Sequence, residues 1–454
     1  MNKTKIIATI GPVSSDKNTI KKMIKSGMNA ARINLSHGDI DQYKKIISNI
    51  RHVKDIPIIF DTQGPEIRII CKEKKIVKKN EVFKIGFDDS HTLYFNKDFY
   101  NQLRCNNLIL VNEGILKLKI VSKNSHHIQV RALVPGSIGA RARVNIPSIT
   151  LNSNILTNKD IECLNFAQKN NVDFVALSYT RNAKDILFVK EKFPKLKVIA
   201  KIENSTGVKN FDKILNVTDG VMVARGDLGV EIPSERLPLV QKAIIYKCNL
   251  AGKFVITATQ MLQSMIENAK PTRAETSDVA NAILDGTDMV MLSGETAIGK
   301  HAVLAVLEMS YIAKEIEPYT KNKVKIDSCK TISQAVSKSI HELTRILPIT
   351  KIVTLTRAGY TSRLISRFRL KAEIIAVTQS LDVQKELMMH YGVNPTILKL
   401  PKTNKIVSCA KQLYKKGLLK KNDLVLFTAG VYAKKSGNTN MLEIHRISEL
   451  SRQF

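Results

Sequence analysis

The stretch KVIAKIENSTG, residues 197–207, decides how this chain is read. Val198, Ile199 and Ala200 form a short apolar run of the kind that makes a buried strand. Lys201 and Glu203 arrive where that run ends. Side chains two apart on a strand share a face, so the ammonium and the carboxylate point the same way. Taken alone, the pair reads as an ion pair closing a strand, worth about 0–1 kcal/mol if exposed. It becomes the wall of an active site only if other strands end in the same fashion.

Outward from this segment the chain repeats one theme. The runs KIIATIG, NAARINLS and IPIIFDT, and later VDFVALSYT, DGVMVAR, FVITATQ and DMVMLSG, alternate with segments of helical spacing. Near-continuous apolar strands separated by helices indicate a parallel sheet covered on both faces. Counted together they make about eight strand–helix units, the number that closes a (β/α)8 TIM barrel. The barrel is expected over residues 1–68 and 154–330. Periodicity alone also fits an open doubly wound sheet. Residues 69–153 lack long helical patterns and alternate instead, as in EVFKIGF and HHIQVRALV, which predicts a small antiparallel β domain inserted after the third strand as a lid. Residues 331–454 return to α/β alternation and are expected to form a third domain with an open mixed sheet.

Composition agrees with this division. A chain of 454 residues, 44% hydrophobic and 24% charged, has the profile of a soluble protein with two or three domains. No apolar run is long enough to cross a bilayer, and the N-terminal segment lacks the features of a signal peptide, so a cytoplasmic location without membrane partners is expected. The six cysteines are far apart, with no CxxC pair, which speaks against a disulfide framework or a zinc site. The net charge of +31 would attract anions, nucleic acid among them. Its lysines are spread along the whole chain, aromatic residues make up only 6% and there is no Trp, so no nucleic-acid partner is expected.

In a barrel the chemistry sits at the carboxyl ends of the strands. The second run ends in Arg32, Asn34 and Ser36, and the third in Asp61 and Thr62. The fifth ends in Lys201 and Glu203, the sixth in Arg225 and Asp227, the seventh in Thr257 and Thr259, and the eighth in Ser293 and Glu295. Six polar endings converging on one mouth are hard to explain as separate ion pairs and caps. Glu203 and Asp227 offer hard carboxylate oxygens for Mg2+ or Mn2+, with other positions left to water and a substrate phosphate. Asn34, Ser36, Asp61 and Thr62 form a second oxygen-rich set suited to K+. Arg32 and Lys201 supply the positive clamp that phosphoryl transfer needs. The turn at Gly226 aims backbone N–H groups at an anion. Ser36 and Asp61 also fit the role of helix caps, and His37 reads as a loop histidine.

The segments KTKIIATIGP, ARINLSHGD, FDTQGPEIR, AKIENSTG, VARGDLGVEIP, ITATQMLQSMI, PTRAETSDVANAILDGTDMVMLSGETAIGK and GNTN occur in order over nearly the whole chain. Together they resemble the pyruvate kinase family. The resemblance implies a TIM barrel, an inserted β-barrel lid, a C-terminal α/β regulatory domain and a homotetramer. It also implies transfer of the phosphoryl group of phosphoenolpyruvate to ADP, giving pyruvate and ATP at the last step of glycolysis. By the same resemblance Arg32 and Lys201 bind the phosphoryl group, and Lys201 neutralises the enolate oxygen. Gly226, Asp227 and Thr259 seat the carboxylate, and Glu203 and Asp227 hold Mg2+. Asn34, Ser36, Asp61 and Thr62 hold K+, while Asn34, His37 and Arg68 lie near the nucleotide. Glu66 stands where K+-independent members carry lysine, so K+ dependence is expected. A water near Thr259 and Ser293 is taken as the proton donor to the enolate carbon, which makes Thr259 a catalytic candidate.

The chain departs from the family pattern at several points. Gln63 stands in place of a common lysine, and the return from the lid reads VNIPSITLNSNILTNKD rather than the usual form. Arg141 and Arg143 lie where lid lysines contact the nucleotide in relatives, with Arg141 taken as the candidate. Thr356, Thr361 and Ser362, in LTRAGYTSR, are the candidate loop for a sugar-phosphate or nucleotide effector, with Tyr360 in place of a common cation. A different Mg2+-dependent enolate reaction on the same barrel is the alternative reading.

Overall fold

The computed structural model describes residues 2–112, 114–124, 126–147, 154–401, 403–430 and 439–453. Eight parallel strands close into a barrel: β1 (Lys5–Thr9), β2 (Met28–Asn34), β3 (Ile58–Asp61), β4 (Phe174–Leu177), β5 (Lys197–Ile202), β6 (Gly220–Ala224), β7 (Phe254–Ala258) and β8 (Met289–Leu292). β1 pairs with both β2 and β8, which closes the ring and excludes the open sheet. Every residue of β1, β3, β4, β6, β7 and β8 is buried, as expected of strands covered by helices outside and by packed side chains inside.

Strand alternation divides these residues between two cores. Ile7, Ala30, Ile59, Ala176, Ile199 and Met222 belong to the cluster that fills the barrel lumen. Their neighbours Ile6, Ala31, Ile58, Val175, Val198 and Val223 belong to the layer under the helices. The helices return to the strands through local signals. Thr157 caps Asn158–Lys169 in a reciprocal box with Asp160, restarting the barrel after the lid. Gly286, at φ +95°, closes Arg273–Asp285 in a conformation that suits glycine.

The insertion forms a second closed barrel of seven strands, from Ile67–Cys71 to Arg141–Asn145, around its own apolar core. The C-terminal domain is a five-stranded sheet of β9 (Lys351–Leu355), β10 (Glu373–Thr378), β11 (Val393–Ile397), β12 (Leu424–Ala429) and β13 (Met441–Arg446). The order is β11-β10-β9-β12-β13, and only the β12–β13 pair is antiparallel, so the sheet is open and mixed. This domain plugs the amino-terminal end of the catalytic barrel, where Met389 joins the lumen cluster. No helix among the described residues is long and apolar enough to cross a membrane.

Candidate active site

The lumen phase that buries Ile7, Ala30, Ile59, Ala176 and Ile199 continues, two residues further on, to Thr9, Arg32, Asp61, Ser178 and Lys201. A polar layer therefore lies directly above the apolar one. Arg32 donates from Nε to Asp61 Oδ2 at 2.7 Å and from Nη1 to Thr9 Oγ1 at 2.9 Å. Lys201 donates from Nζ to Asp61 Oδ1 at 2.9 Å and to Ser178 Oγ at 2.6 Å, and lies 3.4 Å from Glu203 Oε2. Burial alone would raise the pKa of Asp61, but the Arg32 and Lys201 charges outweigh it and hold Asp61 below the usual range. Burial likewise works against the Lys201 ammonium, and Asp61, Glu203 and Asp227 reverse the effect and raise it. The Lys201 ammonium thus remains charged.

Glu203 is the exception in this balanced cluster. Its Oε1 accepts from Tyr179 N at 2.6 Å, whereas its buried Oε2 has no hydrogen-bond partner. Burial raises its pKa to about 7, Lys201 opposing the shift and Asp227 adding to it. A buried carboxylate oxygen left unsatisfied beside a second carboxylate fits a divalent cation. Asp227 is on the helix Arg225–Glu231 that follows β6. Between the adjacent ends of β6 and β7, Gly226 N donates to Thr259 Oγ1 at 2.8 Å, joining two of the three carboxylate-seat candidates. Thr259 and Gln260 adopt φ +67° and +52°, a left-handed pair costly for non-glycine residues. Arg225 Nη2 holds that turn through the carbonyls of Thr259 and Gln260, at 2.8 and 3.0 Å.

The members of the oxygen-rich set are neighbours on β2, β3 and the turns that follow them. Asn34 and Asp61 are register neighbours on β2 and β3, and Ser36 N donates to Asn34 Oδ1 at 3.2 Å. Thr62 Oγ1 accepts from Ser178 N at 3.0 Å, tying this set to the Lys201 side of the mouth. Its donors are all oxygen, which suits K+. His37 is exposed, its carbonyl accepting from Tyr43 OH at 2.6 Å. Arg68 forks onto Glu66 Oε2 at 3.0 and 2.5 Å, and its Nη1 donates to the carbonyl of Arg141, whose side chain is exposed.

Several residues differ from the expectation. Thr257 does not face the mouth: it is out of phase with the lumen residues Ile256 and Ala258 and meets Thr287 Oγ1 at 3.0 Å. Glu295 is fully buried, and its two oxygens accept from Leu262 N and Ser293 N, so it braces the loops after β7 and β8. Arg225 points to Asp278 and the Thr259 turn rather than into the mouth. Ser178 and Tyr179 were missed, although VDFVALSYT carries the same signal as the other strands: Ser178 is in phase with Ala176. Arg143 rather than Arg141 reaches the mouth, with Nη1 2.7 Å from Asp227 Oδ1.

In the C-terminal domain a cavity of about 690 Å3 opens at the carboxyl edge of the sheet, lined by Thr356, Arg357, Ser380 and Lys405 among others. Thr356 lines it. Thr361 and Ser362 are buried elsewhere, with their hydroxyls on Thr439 and Thr354. Gly437 and Asn438 of the GNTN segment, and residues 148–153 of the altered lid return, lie outside the described residues.

Known proteins resemble this chain over nearly its full length. Residues 1–306 match the family described as "Pyruvate kinase, barrel domain", and residues 334–445 match "Pyruvate kinase, alpha/beta domain". The chain is 39% identical over 474 residues to the pyruvate kinase of Geobacillus stearothermophilus, covering 99% of this chain and 81% of that protein. It is 38% identical over 473 residues to the pyruvate kinase of Clostridium acetobutylicum, covering 98% and 99%. A closed barrel with a clamp of opposite charges at its carboxyl end, a barrel-shaped insertion after its third strand and matches over nearly its full length lead to one conclusion: this chain belongs to the pyruvate kinase family.

Proposed function

We propose that this phosphotransferase moves the phosphoryl group of phosphoenolpyruvate to ADP at the barrel mouth, with Mg2+ or Mn2+ held by Glu203 and Asp227 and K+ held by Asn34, Ser36, Asp61 and Thr62. The observation that carries this reading is the buried Oε2 of Glu203, which takes no hydrogen bond and meets only the Lys201 ammonium, 3.4 Å away. When bound, the divalent cation neutralises charge on the phosphoryl and enolate oxygens. The remaining work falls to the side chains. Arg32, aligned by Asp61 and Thr9, grips the phosphoryl oxygens from one side. Lys201, aligned by Asp61 and Ser178, lies where negative charge grows on the oxygen that leaves phosphorus. Gly226, Asp227 and Thr259 seat the substrate carboxylate.

The bond from phosphorus to the enol oxygen breaks as one forms to a terminal ADP oxygen. The enolate left behind takes a proton at carbon from a water near Thr259 and the unpartnered Ser293 hydroxyl, and becomes pyruvate. His37, Arg68 and Arg141 face the nucleotide side. The cavity beside Thr356 is the candidate effector site for a phosphorylated ligand, in a homotetramer.

A coupled assay tests this directly. Pyruvate should form from phosphoenolpyruvate and ADP with Mg2+ and K+ present, and no pyruvate under those conditions would reject the reading. Exchanging K+ for a bulky organic cation should remove most of the activity. Indifference to that exchange would reject the monovalent site.

A further inference from the structure

The side chain that spans the lid and the barrel mouth is Arg143. Its Nη1 lies 2.7 Å from Asp227 Oδ1, and its Nη2 donates to Tyr179 OH at 2.8 Å. The guanidinium carbon stands 5.9 Å from the Tyr179 ring centroid, and Nε lies 3.9 Å from Glu66 Oε1 without a hydrogen bond. A second contact runs parallel to the first: Asn145 Nδ2 donates to Glu231 Oε1 at 3.2 Å. Arg143 and Asn145 are two apart on one lid strand, and Asp227 and Glu231 are four apart on one helix. Each pair therefore shares a face, and the strand clasps the helix along one turn.

We propose that Arg143 is a lid latch that competes with the divalent cation for Asp227. This rests on the assignment of Glu203 and Asp227 as cation ligands. A guanidinium on Asp227 neutralises the carboxylate a cation would use, and two like charges at that oxygen repel. Cation binding therefore loosens the latch. The tether to Tyr179 keeps the displaced guanidinium at the mouth, where Glu66, already paired with Arg68, is the next carboxylate in reach. Lid closure and cation binding are coupled through one ion pair, and Arg143 acts as a positioning residue rather than a reacting one.

Mn2+ alone is the probe, titrated by electron paramagnetic resonance of the free ion into wild type, Arg143→Gln, Arg143→Lys and Glu203→Gln. Arg143→Gln should bind Mn2+ about five- to tenfold more tightly than wild type, and Arg143→Lys should return toward the wild-type value. Hydrogen exchange gives a second readout. Without cation, the strands Ile67–Cys71 and Arg141–Asn145 should exchange faster in Arg143→Gln than in wild type, and Mn2+ should accelerate them in wild type only. Unchanged or weaker Mn2+ binding by Arg143→Gln, or lid exchange identical to wild type, overturns the latch. Undiminished Mn2+ binding by Glu203→Gln would instead reject the ligand assignment, and the exchange difference between wild type and Arg143→Gln would still decide the latch.

Discussion

The two ends of the catalytic barrel both bury charge, and they use it differently. At the floor, Asp288 accepts from Arg369 Nη1, Tyr391 N and Val255 N, each at 3.0 Å. Arg369 also donates to Asn249 Oδ1, Gly286 O and Ser366 O. Both members of this ion pair are 2% exposed. Around them, Met389 fills the lumen, and His390 packs edge-on against Phe254, held neutral by burial. Lys197 and Arg363 share Glu386 across the same interface. At the mouth, charge is gathered without such a cover: two cations meet Asp61, while Glu203 and Ser293 keep buried oxygens that take no hydrogen bond. One end is sealed by another domain and serves cohesion. The other, set against a separate lid barrel, keeps unspent bonding capacity for a ligand. In a parallel barrel this asymmetry follows from strand direction, since the loops that can vary for chemistry all leave from the carboxyl ends.

The sharpest way to break the comparison is to remove the central cation of the mouth. Lys201→Met should lower kcat by about 10²–10³ or more, in steady-state kinetics on protein whose circular dichroism is unchanged. Near-normal turnover would make Lys201 structural, like the floor residues. The converse change is Arg369→Ala, which leaves Asp288 buried and unpaired. It should cost about 3–5 kcal/mol in urea unfolding while kcat per folded molecule changes little. A loss of kcat without loss of stability would show that the floor takes part in catalysis.

A pH titration sharpens the contrast further. Glu203 is raised to about 7 from an ordinary value of 4.5, so a proton occupies it below neutrality and must leave before a cation can bind. Mn2+ affinity should therefore rise by about tenfold between pH 6 and 8, and Glu203→Gln should flatten that profile. Because the folded-state value lies above the unfolded one, this group's contribution to stability is present below pH 4.5 and is lost as pH rises through about 7. The smallest effect is expected at Ser293. Its buried hydroxyl has no partner, so Ser293→Ala should change unfolding stability by less than about 1 kcal/mol. A lowered kcat there, smaller than that of Lys201→Met, would support a role in holding the proton-donating water.

Much of this is legible in the sequence. The barrel could be read because its strands are short, mostly apolar runs separated by helical segments, and the mouth could be read because alternation carries the lumen phase from Ala30 to Arg32 and from Ile199 to Lys201. The rule failed where the backbone stopped being a strand. β7 ends at Ala258, and the left-handed turn at Thr259 and Gln260 breaks the phase, so Thr257 and Thr259 do not share a face. Glu295 failed for another reason: a carboxylate after a strand looks the same whether it meets a ligand or two backbone N–H groups.

By itself the sequence determined which residues form strands, which of their side chains enter the lumen and which family the chain resembles, because those properties are local and periodic. Only the tertiary structure decided that Arg143 rather than Arg141 reaches Asp227, that Ser178 shares Lys201 with Asp61, and that Met389 and His390 seal the floor. These contacts join segments tens to hundreds of residues apart, and their partners are selected by the docking of whole domains, which no spacing along the chain encodes.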